Sequence, residues 1–150
     1  MSVATTVSYV IHLLFAGLWA GSVLFVAYAV LPMARAGEVN AGPLATVAGK
    51  LRTVSRTSAV LLLLTGAHLA AATYSVADLT GSTVGYLVVA MIVLWLVMMG
   101  LVEAGAGKLT DGANEKKVRE PAKAATPLLQ AAAVVALLLL VDAGLLAGGI

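Results

Sequence analysis

Three ionisable side chains, His12, His68 and Asp142, each fall inside a long apolar stretch of the chain. Ionisable groups are expensive in hydrocarbon, so those that persist there mark functional positions by default. The two His are the only ones in the sequence. Neutral imidazole is the commonest metal ligand, and its second nitrogen needs an oriented acceptor. An Asp can supply that acceptor, act as a further ligand or carry a proton. The chemistry implied is therefore metal ligation or proton transfer. The chain has no Cys, which removes disulfides, thiolate metal sites and Cys nucleophiles. It has no Gly-rich phosphate loop with its Lys, no His-Glu-x-x-His pair and no Gly-x-Ser-x-Gly turn, so the common soluble hydrolytic chemistries are absent as well.

The elements that position these residues follow from composition. Of 150 residues, 61% are apolar and 11% charged, against roughly half and a quarter in a soluble domain. The solvent of this chain is lipid, and its length suits one domain, 1–150. Four apolar runs, at about 6–32, 57–75, 83–102 and 127–147, approach or exceed the roughly 20 residues that cross about 30 Å of hydrocarbon. The expected fold is all-α: an antiparallel bundle of four transmembrane helices. Pro32 is expected to close the first span, and Thr126-Pro127 to open the fourth. The first run has no basic residue before it and is too long for a cleaved signal peptide.

All nine basic residues lie in two segments. Arg35, Lys50, Arg52 and Arg56 fall between the first two spans. Lys108, Lys116, Lys117, Arg119 and Lys123 fall between the last two. The positive-inside rule then makes both loops, about 33–56 and 103–126, cytoplasmic, and both termini of this multi-pass cell-membrane protein extracytoplasmic. This distribution also accounts for the net charge of +2 without nucleic acid as a partner. Within the first loop, Leu44, Val47, Leu51 and Val54 recur at helical spacing. They predict an amphipathic lead-in, Pro43–Arg56, that merges with the second span and rests on the inner headgroups. Gly105–Lys123 reads as a mobile connector whose Lys116, Lys117 and Arg119 enforce topology, and Val76–Ser82 as a short loop.

Depth aligns the three unusual residues. Each lies about six or seven residues below the outer end of its span, or roughly 9–10 Å. Around His12 stand Ala16, Gly17, Ala20 and Gly21; around His68 stand Gly66, Ala67, Ala70, Ala71 and Ala72. Such small neighbours leave room for a flat macrocycle, and they equally allow close helix packing. For Gly17 and Gly21, four apart, packing is the favoured reading. Trp19, seven residues from His12 and about 10 Å deeper, is expected inside the bundle. Tyr9, Tyr74 and Tyr86 sit near the outer interface, where Tyr is common. Met91 approaches the His layer, and thioethers suit Cu(I). Glu103 and Gln130 mark inner span ends and read as interfacial residues.

The segment His12-Leu-Leu-Phe-Ala-Gly17-Leu-Trp19-Ala-Gly21, closing at Leu31-Pro32, resembles the first span of the copper resistance protein D (CopD) family. The same His, Trp and Pro are similar to the opening helix of the HemJ-type protoporphyrinogen oxidases. Arg52-Thr-Val-Ser55-Arg56 leading to Thr65-Gly66-Ala67-His68 resembles the next CopD helix, and Gly85-Tyr86-Leu87 the start of the third. The resemblance covers about 10–101. It implies copper handling on the CopD side and b-type haem on a first-helix His on the HemJ side. It adds Thr65, Gly66 and Tyr86 to the residues around the site. Both families carry a third-helix Lys that Val88–Met91 lacks, which argues against protoporphyrinogen oxidase activity. CopD proteins have about twice as many spans, so a four-helix chain implies a homodimer or higher oligomer.

Three functions follow. The first is a haem b protein with His12 and His68 as axial ligands, working in electron transfer with a redox partner. Its propionates would face water, Ser8, Tyr74 or Tyr86. The second is a copper transporter or copper-binding module on His12 and His68 with Asp142 or Met91. The third is an accessory subunit of a membrane complex, its polar layer serving helix association.

Overall fold

The computed structural model describes residues 1–149, and among them every regular element is helical. In order these are α1 (Val3–Phe25), a π-helical turn (Val26–Val30), α2 (Leu31–Ala36), α3 (Ala41–Thr73), α4 (Val76–Gly81), α5 (Thr83–Asn114) and α6 (Arg119–Gly148). Four continuous helices, Val3–Ala36, Ala41–Thr73, Thr83–Asn114 and Arg119–Gly148, are long and apolar enough to cross a membrane.

α1 starts where the Ser2 hydroxyl accepts from the Thr5 amide at 3.1 Å, the usual role of Ser before a first helical turn. The expected stop at Pro32 does not occur. Proline lacks an amide hydrogen and its ring crowds the carbonyl four residues back. Here the turn just before it widens to π geometry, with the Leu31 amide reaching the Val26 carbonyl. That local expansion lets the helix run on. It ends at Gly37, whose φ of +78° suits glycine, with Glu38 N–H donating to the Met33 carbonyl at 2.9 Å as in a Schellman stop.

α3 buries Leu44, Ala48, Leu51, Ser55, Ser58, Ala59, Leu62 and Thr65, one face repeating every three or four residues. The lead-in Pro43–Arg56 is therefore continuous with the second span, but it does not lie apart on a surface. Its apolar side is packed inside the protein, with Leu44 and Ala48 fully buried. Val76–Ser82, expected as a loop, contains α4, because Ser75 and Asp78 form a reciprocal capping box that satisfies two free amides at once.

The largest departure is at 103–126. In place of a connector, α5 runs on to Asn114 and α6 begins at Arg119. Glycine makes this possible by close approach. A side chain at Gly105 would stand 2.7 Å from Leu129 Cγ, and one at Gly112 would collide with the Pro121 ring. Gly105, Ala106, Leu109 and Ala113 of α5 and Pro121, Ala122, Ala125 and Leu129 of α6 are consequently buried. The turn between the helices is closed by Lys116 at φ +59° and by Lys117 N–H donating to the Gly112 carbonyl at 2.9 Å. Pro127 does not open the fourth helix but lies inside it. Pro121 lies in the first turn, where the backbone amides have no partner within the helix and proline costs little.

α1 packs on α3 and α6, while α5 packs on α3 and α6. The core is unevenly placed. Buried positions concentrate in Trp19–Ala34, Leu44–Leu62, Met98–Ala113 and Ala122–Ala136. In the first half of α5, from Thr83 to Val97, only Gly85 is buried, and in α1 nothing before Trp19 is. The helices are tightly joined toward the charged end and loosely joined around His12.

Candidate functional site

His12 and Thr65 project from α1 and α3 onto one another. His12 Nδ1 lies 2.8 Å from Thr65 Oγ1, and the Thr65 hydroxyl donates to the Leu61 carbonyl at 2.6 Å. A hydroxyl has one proton. With that proton on the Leu61 carbonyl, the oxygen accepts from His12 Nδ1–H. The imidazole is then the Nδ1-protonated tautomer, and its Nε2 keeps a free lone pair. Gly66 completes the seat: a Cβ there would stand 3.1 Å from His12 Cε1, so only glycine lets the ring lie this close without displacement. His12 is half-buried.

His68 is exposed on α3. The α3 face that receives His12 lies between Thr65 and Gly66. At 3.6 residues per turn, His68 is carried roughly 110° round the helix from it. Among the described residues one imidazole is thus seated between two helices, and the second does not converge on it.

Asp142 is 6% exposed on α6, and its Oδ2 has no hydrogen-bond partner among the described residues. Tyr86 is exposed on α5. Gly17 and Gly21, expected at a helix contact, are exposed with nothing within 4 Å of a Cβ built there, so no helix among the described residues closes on them. Met91 is half-buried and Gln130 exposed. Among the described residues no three His, Asp or Glu side chains converge as a metal-binding group.

Trp19 lies in the core at 1% exposure. Its indole nitrogen and the hydroxyls of Ser55 and Ser58 are buried without hydrogen-bond partners among the described residues. Left unpaired, such groups cost about 1–3 kcal/mol each.

At the other end of the molecule Glu103, expected as a simple interfacial residue, is gripped by two arginines. Arg56 donates to both its carboxylate oxygens, at 2.7 and 3.0 Å. Arg52 Nε stands 3.1 Å from Oε2, close enough for an ion pair though not aligned as a hydrogen bond. The signal for this cluster in the sequence was the Arg52-x-x-x-Arg56 spacing, one face of a helix, which positive-inside counting treats only as charge. Outside the spans, Lys117 is held above its ordinary pKa by a hydrogen bond and charge pairing with Glu115, 2.9 Å away.

No protein-family model, curated protein or solved structure matches the chain.

The donor set fits a metal or haem iron in part. His12 offers an oriented Nε2 backed by a hydroxyl, the arrangement that fixes the tautomer of a ligating imidazole. A haem iron needs at most two axial ligands, whereas a copper site would need converging donors beyond His12.

Proposed function

We propose that this chain is an antiparallel four-helix membrane protein whose His12 holds a redox metal centre in the outer leaflet, in the manner of the CopD and HemJ-type proteins. The centre is haem b, and its use is electron transfer. Residue pairing supports the helix directions. Arg52 and Arg56 meet Glu103 while Ala59 meets Trp95, so numbers fall along α5 as they rise along α3. Gly105 meets Leu129 while Gly112 meets Pro121. Both tight turns then lie at the basic end, which the positive-inside rule assigns to the cytoplasm, leaving both termini outside.

The observation that carries the cofactor reading is the Leu61–Thr65–His12 hydrogen-bond relay. It presents Nε2 free beside a region of loose helix packing. His68 is the only other imidazole of the chain and would be the second residue to hold the haem in this reading. Because it diverges from His12 within the chain, we assign its approach to the haem to an oligomer in which the open ends of two copies face each other. The residues bind and orient the iron; when bound, the haem supplies one-electron chemistry.

The test is the absorption spectrum of the protein purified from membranes of a haem-replete host. A low-spin b-type spectrum that is lost in His12→Ala and turns high-spin in His68→Ala supports the reading. A colourless protein retaining copper through His12 would replace haem by copper. A protein holding neither would leave a subunit whose polar layer serves association.

A further inference from the structure

Buried hydroxyls in apolar helices normally bond the carbonyl one turn back. The buried Thr65 does so here, as do the half-buried Thr110 and Thr126 and the exposed Thr46, Thr53 and Thr80. Ser55 and Ser58 do not, although both are fully buried. Three residues apart on α3, they share one face. The contact of His12 with Thr65 sets the register opposite them. Seven residues is nearly two helical turns, so stepping from His12 to Trp19 on α1 and from Thr65 to Ser58 on α3 returns both helices to the same facing sides. Trp19 therefore stands at the level of Ser58, with its indole N–H unpaired. One donor and one hydroxyl thus share a level of the interior, with the Ser55 hydroxyl about 4.5 Å further along α3 on the same face. Hydroxyls both donate and accept, whereas the indole only donates.

We propose that Trp19, Ser55 and Ser58 form an internal water-binding site between α1 and α3 in the middle of the bundle. A buried water takes two to four polar partners, and these three side chains supply that number with the right mixture of donor and acceptor. Arg52, one turn below Ser55, is half-buried and ion-paired to Glu103, so the polar face of α3 is continuous from the ion cluster to Trp19. The site does not depend on a metal at His12.

The test uses the intact protein, labelled with 15N-tryptophan, in lipid nanodiscs. The chain has two Trp, hence two indole N–H signals, which Trp95→Phe assigns. Trp95 donates to the Ala59 carbonyl at 3.2 Å and serves as the internal control. The expected result is magnetisation transfer from water to the Trp19 indole, absent at Trp95 and weakened by Ser58→Ala. A Trp19 signal in the wild type that exchanges magnetisation with water no more than Trp95 does would overturn the proposal, whatever the fate of the variant.

Discussion

His12 Nδ1 and Thr65 Oγ1 are 2.8 Å apart, and the same hydroxyl is bonded at 2.6 Å to the Leu61 carbonyl. The tautomer of the imidazole is therefore set by the backbone of a neighbouring helix. In the wild type the 15N shifts of the His12 ring should report a protonated Nδ1 and a bare Nε2. Thr65→Val, which keeps the shape and removes the hydroxyl, should release that preference, and Thr65→Ser should restore it. For the proposed haem, the corresponding loss of affinity in Thr65→Val is about 10–100-fold, measured by titration of the apoprotein at the Soret band.

Gly66→Ala tests the same seat by sterics. The added carbon would stand 3.1 Å from His12 Cε1, so the ring must move by a few tenths of an ångström. The expected outcome is an intact fold with a shifted His12 signal. Unchanged His12 resonances would show that the ring is not held there.

The approach of α5 and α6 depends on Gly112. Gly112→Val should destabilise the protein by about 1–3 kcal/mol, the usual cost of overpacking, because its side chain meets the Pro121 ring. Gly100→Ala, which faces open space, should stay within about 1 kcal/mol of wild type. Unfolding in detergent with increasing denaturant compares the two.

The proposed orientation predicts an asymmetric labelling pattern. The chain lacks Cys, so single substitutions report cleanly. Ser2→Cys and Ala77→Cys should react with an impermeant thiol reagent added outside intact cells. Glu115→Cys, in the exposed turn between α5 and α6, should react only after the cells are opened. The reverse pattern would invert the topology.

Asp78 gives α4 a pH dependence. Its carboxylate accepts from the Ser75 hydroxyl and amide, and these bonds hold its pKa below the ordinary Asp value. A depressed folded-state pKa contributes stability that is complete above the ordinary value and is lost as pH falls through the depressed one. Amide exchange in Val76–Gly81 should accelerate over that acidic interval, and Asp78→Asn should remove the pH dependence.

Much of this architecture was legible from composition alone. Four apolar runs of span length are a direct consequence of the energetic demand of hydrocarbon, which tolerates few charges over about 20 residues. Hydropathy reports where lipid begins, however, and not where a helix ends. The helices here outrun their apolar windows at 33–36, 41–56, 103–114 and 119–126. Pro32 and Pro127 misled the boundaries, because a proline stops a helix only when nothing absorbs its ring. The π turn beside Pro32 does absorb it, and α6 runs on through Pro127 with Ala125 and Leu129 buried on either side.

His12 and Asp142 were singled out by the sequence because charge and imidazole are rare in an apolar run. Thr65 and Gly66 entered through resemblance. Their pairing with His12 belongs to tertiary structure, since the hydrogen bond joins residues 53 positions apart and depends on how α1 rotates against α3. The same rotation turns His68 outward and leaves Gly17 and Gly21 open. A sequence specifies depth through the fixed rise of the helix, about 1.5 Å per residue. Azimuth is decided only when neighbouring helices choose which faces to bury. Two residues at one depth meet, or miss, on that choice alone.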